Sequence, residues 1–274
     1  MKKLNQILWV LALATVASCS KSEEPQGSTF VDPSTVAPIS GQFQKRVLIE
    51  DYTGTWCGWC PRVAYGIQKV EELGIRAVPV AIHNGDPMAW GNSSTWPEAV
   101  NSFPTAMLNR KTLWSYPENT NTKQVKYLNG NNCELGLAMD ATVSGGNINL
   151  DVKVKFAKDY TDLKLVVYVL EDNLVYNQTN YTSGLYGTGT VSPLVNFDND
   201  HVLRACLTNI QGDAIQGTTT NGLTVTKNFS VSVPSNVQNV ANMNFVAFVV
   251  DASGKTINSR AAAPGNNQSF EQNP

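Results

Sequence analysis

A pair of cysteines between an apolar run and a helical pattern constrains this chain more than any other feature. Cys57-Gly58-Trp59-Cys60 follows the strand-like run 47–52 and precedes an apolar stripe at helical spacing, formed by Val63, Ile67, Val70 and Leu73. The next apolar run, 77–82, predicts a second strand, parallel to the first because the connection through a helix crosses over one sheet. The sequence therefore predicts a β-α-β unit with two cysteines at the start of its helix.

The spacing of Cys57 and Cys60 permits reversible disulfide chemistry. Side chains three residues apart on a helix have β-carbons about 5 to 6 Å apart, close enough for a disulfide after a small adjustment. At a helix N-terminus, unpaired N–H groups and the positive end of the helix dipole stabilise a thiolate. We therefore expect Cys57 to be the attacking sulfur and Cys60 to be the resolving thiol.

The N-terminus carries an export signal. Lys2 and Lys3 precede an apolar run over residues 7–16, which is too short to span a bilayer and is typical of a secretory signal. The sequence Val16-Ala17-Ser18-Cys19 resembles a lipobox, at which bacterial lipoproteins are cleaved and acylated. We predict a signal peptide over 1–18 and a lipid anchor on Cys19. An ordinary cleaved signal peptide is the alternative.

Composition indicates a tethered, exported chain with no nucleic-acid partner. Residues 20–42 are rich in Ser, Pro and Gly, so we predict an acylated, flexible tether over 19–42. The 20 Lys and Arg residues nearly balance 22 Asp and Glu residues, so no charge excess favours nucleic acid. Disulfides persist in exported proteins. We favour one between Cys133 and Cys206, and two buried free thiols are the alternative.

The second half of the chain has the two-residue period of β-strands. Apolar residues alternate with polar or small ones over 135–143 and 148–156, on either side of Gly145-Gly146, which predicts a hairpin with one wet face. Further runs at 163–170, 202–207, 223–233 and 245–250 predict an antiparallel sandwich. Between the two halves we expect a polar insertion over 84–102 with a short helix at 97–101, and a second helix over 122–128.

Two segments together carry a resemblance to a known family. Residues 49–60 resemble the strand-to-helix segment of thioredoxin without a gap, and Phe103-Pro104-Thr105 resembles its cis-proline loop. With the lipobox and the β-rich second half, the mature chain is similar to the 28-kilodalton outer-membrane lipoprotein family of Bacteroidales. The resemblance implies an outer-membrane, lipid-anchored location on the periplasmic or cell-surface face.

It also implies a fold that is α/β plus all-β. A thioredoxin-like domain over 43–132 would be followed by an antiparallel, immunoglobulin-like β-sandwich over 133–274.

The thioredoxin resemblance implies roles for four residues. Cys57 and Cys60 would be the redox pair. A cis Pro104 would present the Phe103 backbone to an extended substrate, and a trans turn proline is the alternative. Asp51 would be the buried acid that accepts the Cys60 proton.

The acid and the direction of electron flow stay open. Glu50, on the opposite face of the strand, is the rival of Asp51 as the acid, and a plain surface carboxylate is the third reading. Trp59 stands where thioredoxin has proline, so the direction of electron flow is unassigned.

Trp56 and Trp59 flank Cys57 and are candidate substrate-binding residues together with Phe103. Exposed aromatic rings beside a reactive thiol can dock unfolded or apolar polypeptide. Trp90, Trp96 and Trp114 are more simply read as core residues.

No metal site is predicted. A structural zinc site needs two ligands besides a cysteine pair, and no second pair lies nearby in the sequence. His83 is read as a strand-end polar residue. The run Asp198-Asn199-Asp200-His201 lacks the spacing of a calcium loop and is read as a solvated turn. We expect no cofactor other than the redox-active disulfide itself.

Two functions of different classes fit these features. The first is a membrane-anchored thiol-disulfide oxidoreductase that acts on exported proteins, or with a cell-envelope redox partner, through Cys57 and Cys60. The second is a non-enzymatic cell-surface binding or adhesion lipoprotein that uses a thioredoxin-like scaffold. Carbohydrate capture by the sandwich is a third reading, based on location alone.

Overall fold

The computed structural model describes residues 32–92, 94–187 and 191–274. Residues 32–274 cluster as one compact unit. The predicted signal peptide, the predicted anchor Cys19 and the tether up to residue 31 lie outside the described residues. None of the helices in the described ranges combines the length and the apolar character needed to cross a membrane.

The described residues form sixteen β-strands and two α-helices. The helices are α1 (Pro61–Glu72) and α2 (Thr122–Leu128). The strands are β1 (Phe43–Lys45), β2 (Val47–Thr53), β3 (Ala77–His83), β4 (Thr105–Leu108), β5 (Thr112–Leu113), β6 (Gly130–Cys133), β7 (Leu135–Ser144), β8 (Asn147–Phe156), β9 (Lys164–Glu171), β10 (Leu174–Gln178), β11 (Leu194–Asn199), β12 (Val202–Cys206), β13 (Asp213–Ala214), β14 (Thr224–Ser232), β15 (Met243–Val250) and β16 (Thr256–Ala262).

A nine-stranded mixed sheet runs through both halves of the chain. Its order is β16-β15-β9-β12-β3-β2-β4-β5, and β13 pairs with β9 outside this path. Strands β2 and β3 are parallel, as the crossover predicts. Strand β12 joins them in parallel at the pair Val202 and Ala81, and it pairs with β9 in the antiparallel sense. Strands from residues 47–83 and from residues 164–262 therefore share one sheet.

This sheet shows that the predicted fold class is wrong. The chain is mostly β, and its two halves are not a thioredoxin-like α/β domain followed by a separate immunoglobulin-like sandwich. The reason lies in the apolar runs 165–170 and 245–250, whose side chains are buried on both faces of the sheet. Strands of that kind occupy the middle of a covered sheet and do not present a wet face.

A β-sandwich is nevertheless present at one end of the molecule. The three-stranded sheet β14-β8-β7 packs on one face of β9 and β15. Leu165, Val167 and Val169 of β9 enter this core, and the alternate side chains of the same strand enter a second core on the opposite face. The two-residue period of the strand assigns its side chains to the two cores in turn.

Helix α1 covers the other end of the sheet on the same face as the sandwich. Val63, Ile67 and Val70 pack on β2 in a third core. Leu73 is exposed, so the buried stripe ends before the position that its spacing predicts. The helix stops there because Gly74 adopts the left-handed region with φ +65°.

Other local predictions have mixed outcomes. The β7–β8 hairpin forms, with Gly145 and Gly146 both at positive φ in its turn. Helix α2 has the predicted bounds. The predicted helix over 97–101 is absent from this described segment, which forms bends and irregular backbone. Val100 and the preceding Trp96 pack into the second core. The β10–β11 hairpin was not predicted.

Candidate functional site

Cys57 and Cys60 form a disulfide directly before α1. Their Cα atoms are 5.4 Å apart, and Pro61 occupies the first turn of the helix, where its missing N–H is not needed. Both cysteines are buried, with 4% of Cys57 and 1% of Cys60 exposed. The disulfide forms as its spacing predicts, but both cysteines precede the helix, with Cys60 as its N-cap, whereas the sequence predicts Cys57 at the N-terminus and Cys60 one turn in. Little of either residue reaches solvent.

Residues 178–181, called here the cover segment, hold the turn that contains the disulfide. The Gln178 side chain donates from Nε2 to the carbonyl oxygens of Gly54 (3.2 Å) and Cys57 (3.0 Å). The Thr179 N–H donates to the Thr55 carbonyl at 2.8 Å. Gln178 ends β10, so the second half of the chain fixes the backbone on the N-terminal side of the disulfide.

Tyr181 completes the cover. Its N–H donates to the Gly58 carbonyl at 2.7 Å. Its ring lies against Gly58 so closely that a Cβ at that position would be 2.3 Å from ring atom Cδ2. The Trp59 ring meets the same tyrosine edge-on, with centroids 5.8 Å apart. Only glycine fits between Cys57 and Trp59 in this arrangement.

Trp56 and Trp59 are half exposed, at 47% and 52%. Trp56 donates from Nε1 to the Asn84 carbonyl at 2.7 Å and packs edge-on against Phe103 at 5.3 Å. The Phe103–Pro104 peptide bond is cis, so the trans alternative is wrong. The structure brings Trp56 and Phe103 together and places Trp59 apart from them, against Tyr181.

A cavity of about 440 Å³ lies between α1, the ends of β2 and β3, and the β10–β11 hairpin. Its floor includes Asp51, Cys60 and His83, and its far wall includes Tyr186 and Phe197. Cys57 is not one of its lining residues. The disulfide thus borders the cavity through Cys60.

Asp51 is buried on the α1 face of β2, with 2% of the residue exposed and no hydrogen-bond partner for Oδ1. Burial raises the pKa of this carboxyl well above its usual range, the negative charge of Glu118 adds to the shift, and Arg62 opposes it. Asp51 is therefore a buried acid beside the same cavity as Cys60, and the surface-carboxylate reading is wrong.

Glu50 faces the opposite side of the sheet. Its Oε1 accepts hydrogen bonds from Arg110 Nη2 at 3.2 Å and from Tyr168 Oη at 3.0 Å. The carboxylate and the guanidinium are both fully buried there. Glu50 is thus part of a buried ion pair in the second core and does not compete with Asp51 as an acid beside Cys60.

His83 and Asp86 form a second buried pair at the cavity floor. His83 Nδ1 and Asp86 Oδ2 are 2.8 Å apart, and Asp86 also accepts hydrogen bonds from the backbone N–H groups of Thr55 and Met88. Burial alone would raise the pKa of Asp86, but these contacts, led by His83, hold it below its ordinary value. The pair fixes the loop that begins at Thr55.

The mouth of the cavity carries exposed Asp198 and Asp200. His201 lies beside them, 3.4 Å from a carboxylate oxygen of Glu71 and 3.6 Å from one of Asp172. Burial would lower the pKa of His201, but the two carboxylates raise it on balance. Among the described residues that line the cavity there is no lysine or arginine.

The comparisons with known proteins identify the family. Residues 94–268, more than half of the chain, match the family model of outer membrane protein Omp28. The chain belongs to the Omp28 family of outer membrane proteins. This confirms the predicted outer-membrane location, whereas acylation of Cys19 stays a prediction.

Among solved structures, the Omp28-family chain resembles HBP35 of Porphyromonas gingivalis. The TM-score is 0.60 at 20% identity, over 85% of this chain and 81% of that one, which shows a shared fold. No curated protein sequence matches the chain.

Cys133 and Cys206 are free thiols, so the predicted disulfide between them is wrong. Cys133 ends β6 and packs in the sandwich core, whereas Cys206 ends β12 and packs on the core of the opposite face. The nine-stranded sheet therefore lies between them. Within the described ranges, no group of three or more His, Cys, Asp or Glu side chains is placed to hold a metal ion.

The half of the site that comes from the β10–β11 hairpin was not predicted from the sequence. Gln178, Tyr181, Tyr186 and Phe197 lie in a polar stretch without a clear period, more than a hundred residues after the cysteines. The one local signal is the run Asp198 to His201, which was read as a solvated turn and forms part of the cavity mouth.

Proposed function

We propose that this Omp28-family protein is a non-enzymatic binding protein of the outer membrane, which holds a small ligand in the cavity beside α1. In this proposal the Cys57–Cys60 disulfide is structural. The observation that carries the proposal is the low exposure of both cysteines, in a turn whose backbone is bonded to the cover segment, next to an open cavity.

Thiol-disulfide exchange requires a partner thiolate to approach one sulfur directly. Redox-active cysteines accordingly lie in partly exposed positions. Here the backbone on both sides of Cys57 is hydrogen-bonded to the cover segment, and the Tyr181 ring packs on Gly58. A protein substrate would have to displace these contacts, which favours a structural disulfide over a catalytic one.

The cavity supports the binding function by its size and composition. Small-molecule sites in proteins typically measure about 300 to 1,000 Å³ and combine apolar walls with a few convergent polar groups. This cavity falls in that range, with apolar walls from Ile67, Leu194 and Phe197 and polar groups at its floor and mouth. A cavity of this kind in a cell-envelope protein supports a function in binding a small ligand.

We also propose that Cys19 carries the lipid that attaches the protein to the outer membrane. The lipobox-like sequence ending at Cys19 supports this anchor. Replacing Cys19 by serine should abolish incorporation of labelled palmitate and release the protein from the membrane fraction. Unchanged labelling of the Cys19→Ser variant would contradict the anchor.

An oxidoreductase acting on exported proteins, or with a cell-envelope redox partner, is the second candidate. The favouring observation is that Asp51 and Cys60 border the same cavity, so a buried acid is available to accept the Cys60 proton. In that case the cover segment would have to leave before turnover. No cofactor besides the disulfide is needed for this chemistry.

The reduction potential of the disulfide separates the two functions. We expect a potential below about −300 mV, as for structural disulfides, and no reduction of a model disulfide substrate by the intact protein. Replacing both cysteines by serine should cost about 2 kcal/mol of stability, the value for closing a very short loop. Mixed disulfides that accumulate on Cys57 in a Cys60→Ser variant, together with reductase turnover, would instead establish the oxidoreductase.

A further inference from the structure

We propose that the cavity beside α1 binds a small aliphatic amine, preferably a diamine, with one ammonium group on the Asp51 carboxylate. This inference names the ligand class of the binding function proposed above and rests on it. Three features carry it: the charge of the lining, an unpaired buried oxygen, and the apolar walls between the charged ends.

The described lining carries several carboxyl groups and no lysine or arginine. Asp51, Glu71, Asp198 and Asp200 line the cavity, and the described lining residues include neither lysine nor arginine. An anionic ligand would therefore find no lysine or arginine in the described lining, whereas a cation would be attracted by the carboxylates at the mouth.

The two histidines of the lining do not reverse this balance. His83 is paired with Asp86, which has a depressed pKa, and His201 lies between Glu71 and Asp172. Each imidazole is thus matched by at least one carboxylate that contacts it. A bound cation would not meet an uncompensated positive charge from either ring.

Asp51 is the lining residue with an unsatisfied hydrogen-bond acceptor. Its Oδ1 is buried and has no hydrogen-bond partner, and buried polar atoms without partners are rare in folded proteins. Burial favours the protonated form of this carboxyl group. An ammonium group that binds there donates a hydrogen bond, the Asp51 proton leaves to solvent, and the resulting charge-assisted bond is stronger than a neutral one. A hydroxyl group would supply only the donor.

The walls fit a methylene chain. Ala64 and Ile67 of α1 face Leu194 and Phe197 of the hairpin across the cavity, and Tyr186 adds a second ring that packs edge-on against Phe197 at 5.4 Å. Apolar walls between a buried carboxyl group and exposed carboxylates match a molecule with charged ends and an apolar middle. Aromatic rings also favour a nearby ammonium group.

Calorimetric titration of the intact, oxidised protein with three ligands of similar length tests the ligand class. The ligands are 1,4-diaminobutane, 1,4-butanediol and succinate, which carry two positive charges, none and two negative charges. We expect binding of the diamine alone. Its affinity should fall about fivefold or more between about 50 mM and about 500 mM NaCl, because exposed carboxylates are screened by salt.

Matched variants locate the diamine. Asp51→Asn keeps the shape of the side chain and should weaken binding about tenfold or more, the effect of losing a buried charged hydrogen bond. Asp198→Asn at the mouth should weaken it about two- to threefold. Glu72→Gln, on the same helix as Glu71 but outside the lining, should change it less than about twofold. Thermal unfolding of each variant verifies that the fold is intact.

Each other outcome overturns the inference. Equal binding of the diol or the diacid would contradict the proposed ligand class, and so would diamine binding that Asp51→Asn leaves unchanged. Either result would still be consistent with a binding protein. Absence of diamine binding would also contradict an amine as the ligand of this cavity. The reduction potential and the reductase assay, measured on the same sample, then decide separately whether the binding function itself stands.

Discussion

The Asp51 carboxyl group links protonation to stability. Its pKa is raised in the folded protein, mainly by burial, so the folded chain keeps the proton at pH values where the unfolded chain has lost it. The free energy of unfolding therefore falls as the pH rises from the unfolded pKa of about 4 towards the folded pKa. The contribution of Asp51 thus lowers the free energy of unfolding at neutral pH relative to mild acid.

An Asp51→Asn variant should be more stable than the natural protein at about pH 8, by about 1 to 3 kcal/mol, because asparagine has no charge that folding must neutralise or bury. The gain should vanish near pH 4, where Asp51 is protonated in both states. Urea unfolding at the two pH values measures it. The exposed Asp198→Asn variant serves as the control, and a gain for Asp51→Asn that is equal at both pH values would contradict the shift.

Gly58 is required by the ring of Tyr181. A Cβ at residue 58 would lie 2.3 Å from that ring, so Gly58→Ala should cost about 1 to 3 kcal/mol. In a Tyr181→Ala background the same substitution should cost less than about 0.5 kcal/mol, because the obstacle is gone. Denaturant unfolding of the four proteins gives the coupling energy. Additive effects would show that another contact restricts Gly58.

At the scale of elements, the start of α1 is held by a strand end from the other half of the chain. Gln178, the last residue of β10, donates to the carbonyls of Gly54 and Cys57, on the N-terminal side of the disulfide. The disulfide turn is thus stabilised by its own covalent bond and by the docked hairpin. Loosening the hairpin should expose the sulfurs before the rest of the protein unfolds.

Gln178→Ala should accelerate reduction of the disulfide by dithiothreitol about 5- to 30-fold, which corresponds to losing about 1 to 2 kcal/mol of hydrogen bonding. The rate is measured by trapping free thiols over time. Gln124→Ala is the matched control, because the Gln124 amide group also bonds two backbone groups, those of Leu113 and Ser115. Equal acceleration in both variants would mean that global unfolding, and not the cover segment, limits access.

The whole molecule is organised by one sheet that runs through both halves. Strands from residues 47–113 form one side of the sheet, and strands from residues 164–262 form the other. The two groups meet at the junction of β3 and β12. The Glu171–Arg204 ion pair, buried next to this junction, and the second core reinforce it. The two halves share buried surface and should unfold together.

We expect a single unfolding transition in urea. In the described chain all tryptophans lie between residues 56 and 114, so tryptophan fluorescence reports the first half, whereas far-UV circular dichroism is dominated by the strands of the second half. The two midpoints should coincide within error. Two separate midpoints would show that residues 43–132 and 133–274 fold independently.

Sequence alone predicts the local parts of this fold and misses how they join. The β2-α1-β3 unit and the hairpin at Gly145-Gly146 are encoded by neighbouring residues, so their periods are readable. The fold class failed because the run 165–170 was assigned to a sandwich, although six consecutive buried residues indicate a strand covered on both faces.

The site, like the fold, has a part encoded by neighbouring residues and a part that only the tertiary structure brings together. Cys57, Cys60 and Asp51 belong to one local unit, and the sequence places them together. Gln178 and Tyr181 reach the disulfide only through the tertiary fold, and no local pattern marks them. The pairing of Cys133 with Cys206 failed for the same reason, since an even count of cysteines carries no information about which face of a sheet each one occupies.

The distance along the chain between the disulfide and its cover has a consequence for timing. Gln178 lies 121 residues after Cys57. In a chain that crosses the membrane N-terminus first, both thiols arrive well before the residues that hold their turn. Oxidants and oxidising enzymes can therefore reach the pair during that interval, and docking of the β10–β11 hairpin ends it. The order of synthesis thus limits when this bond can be made.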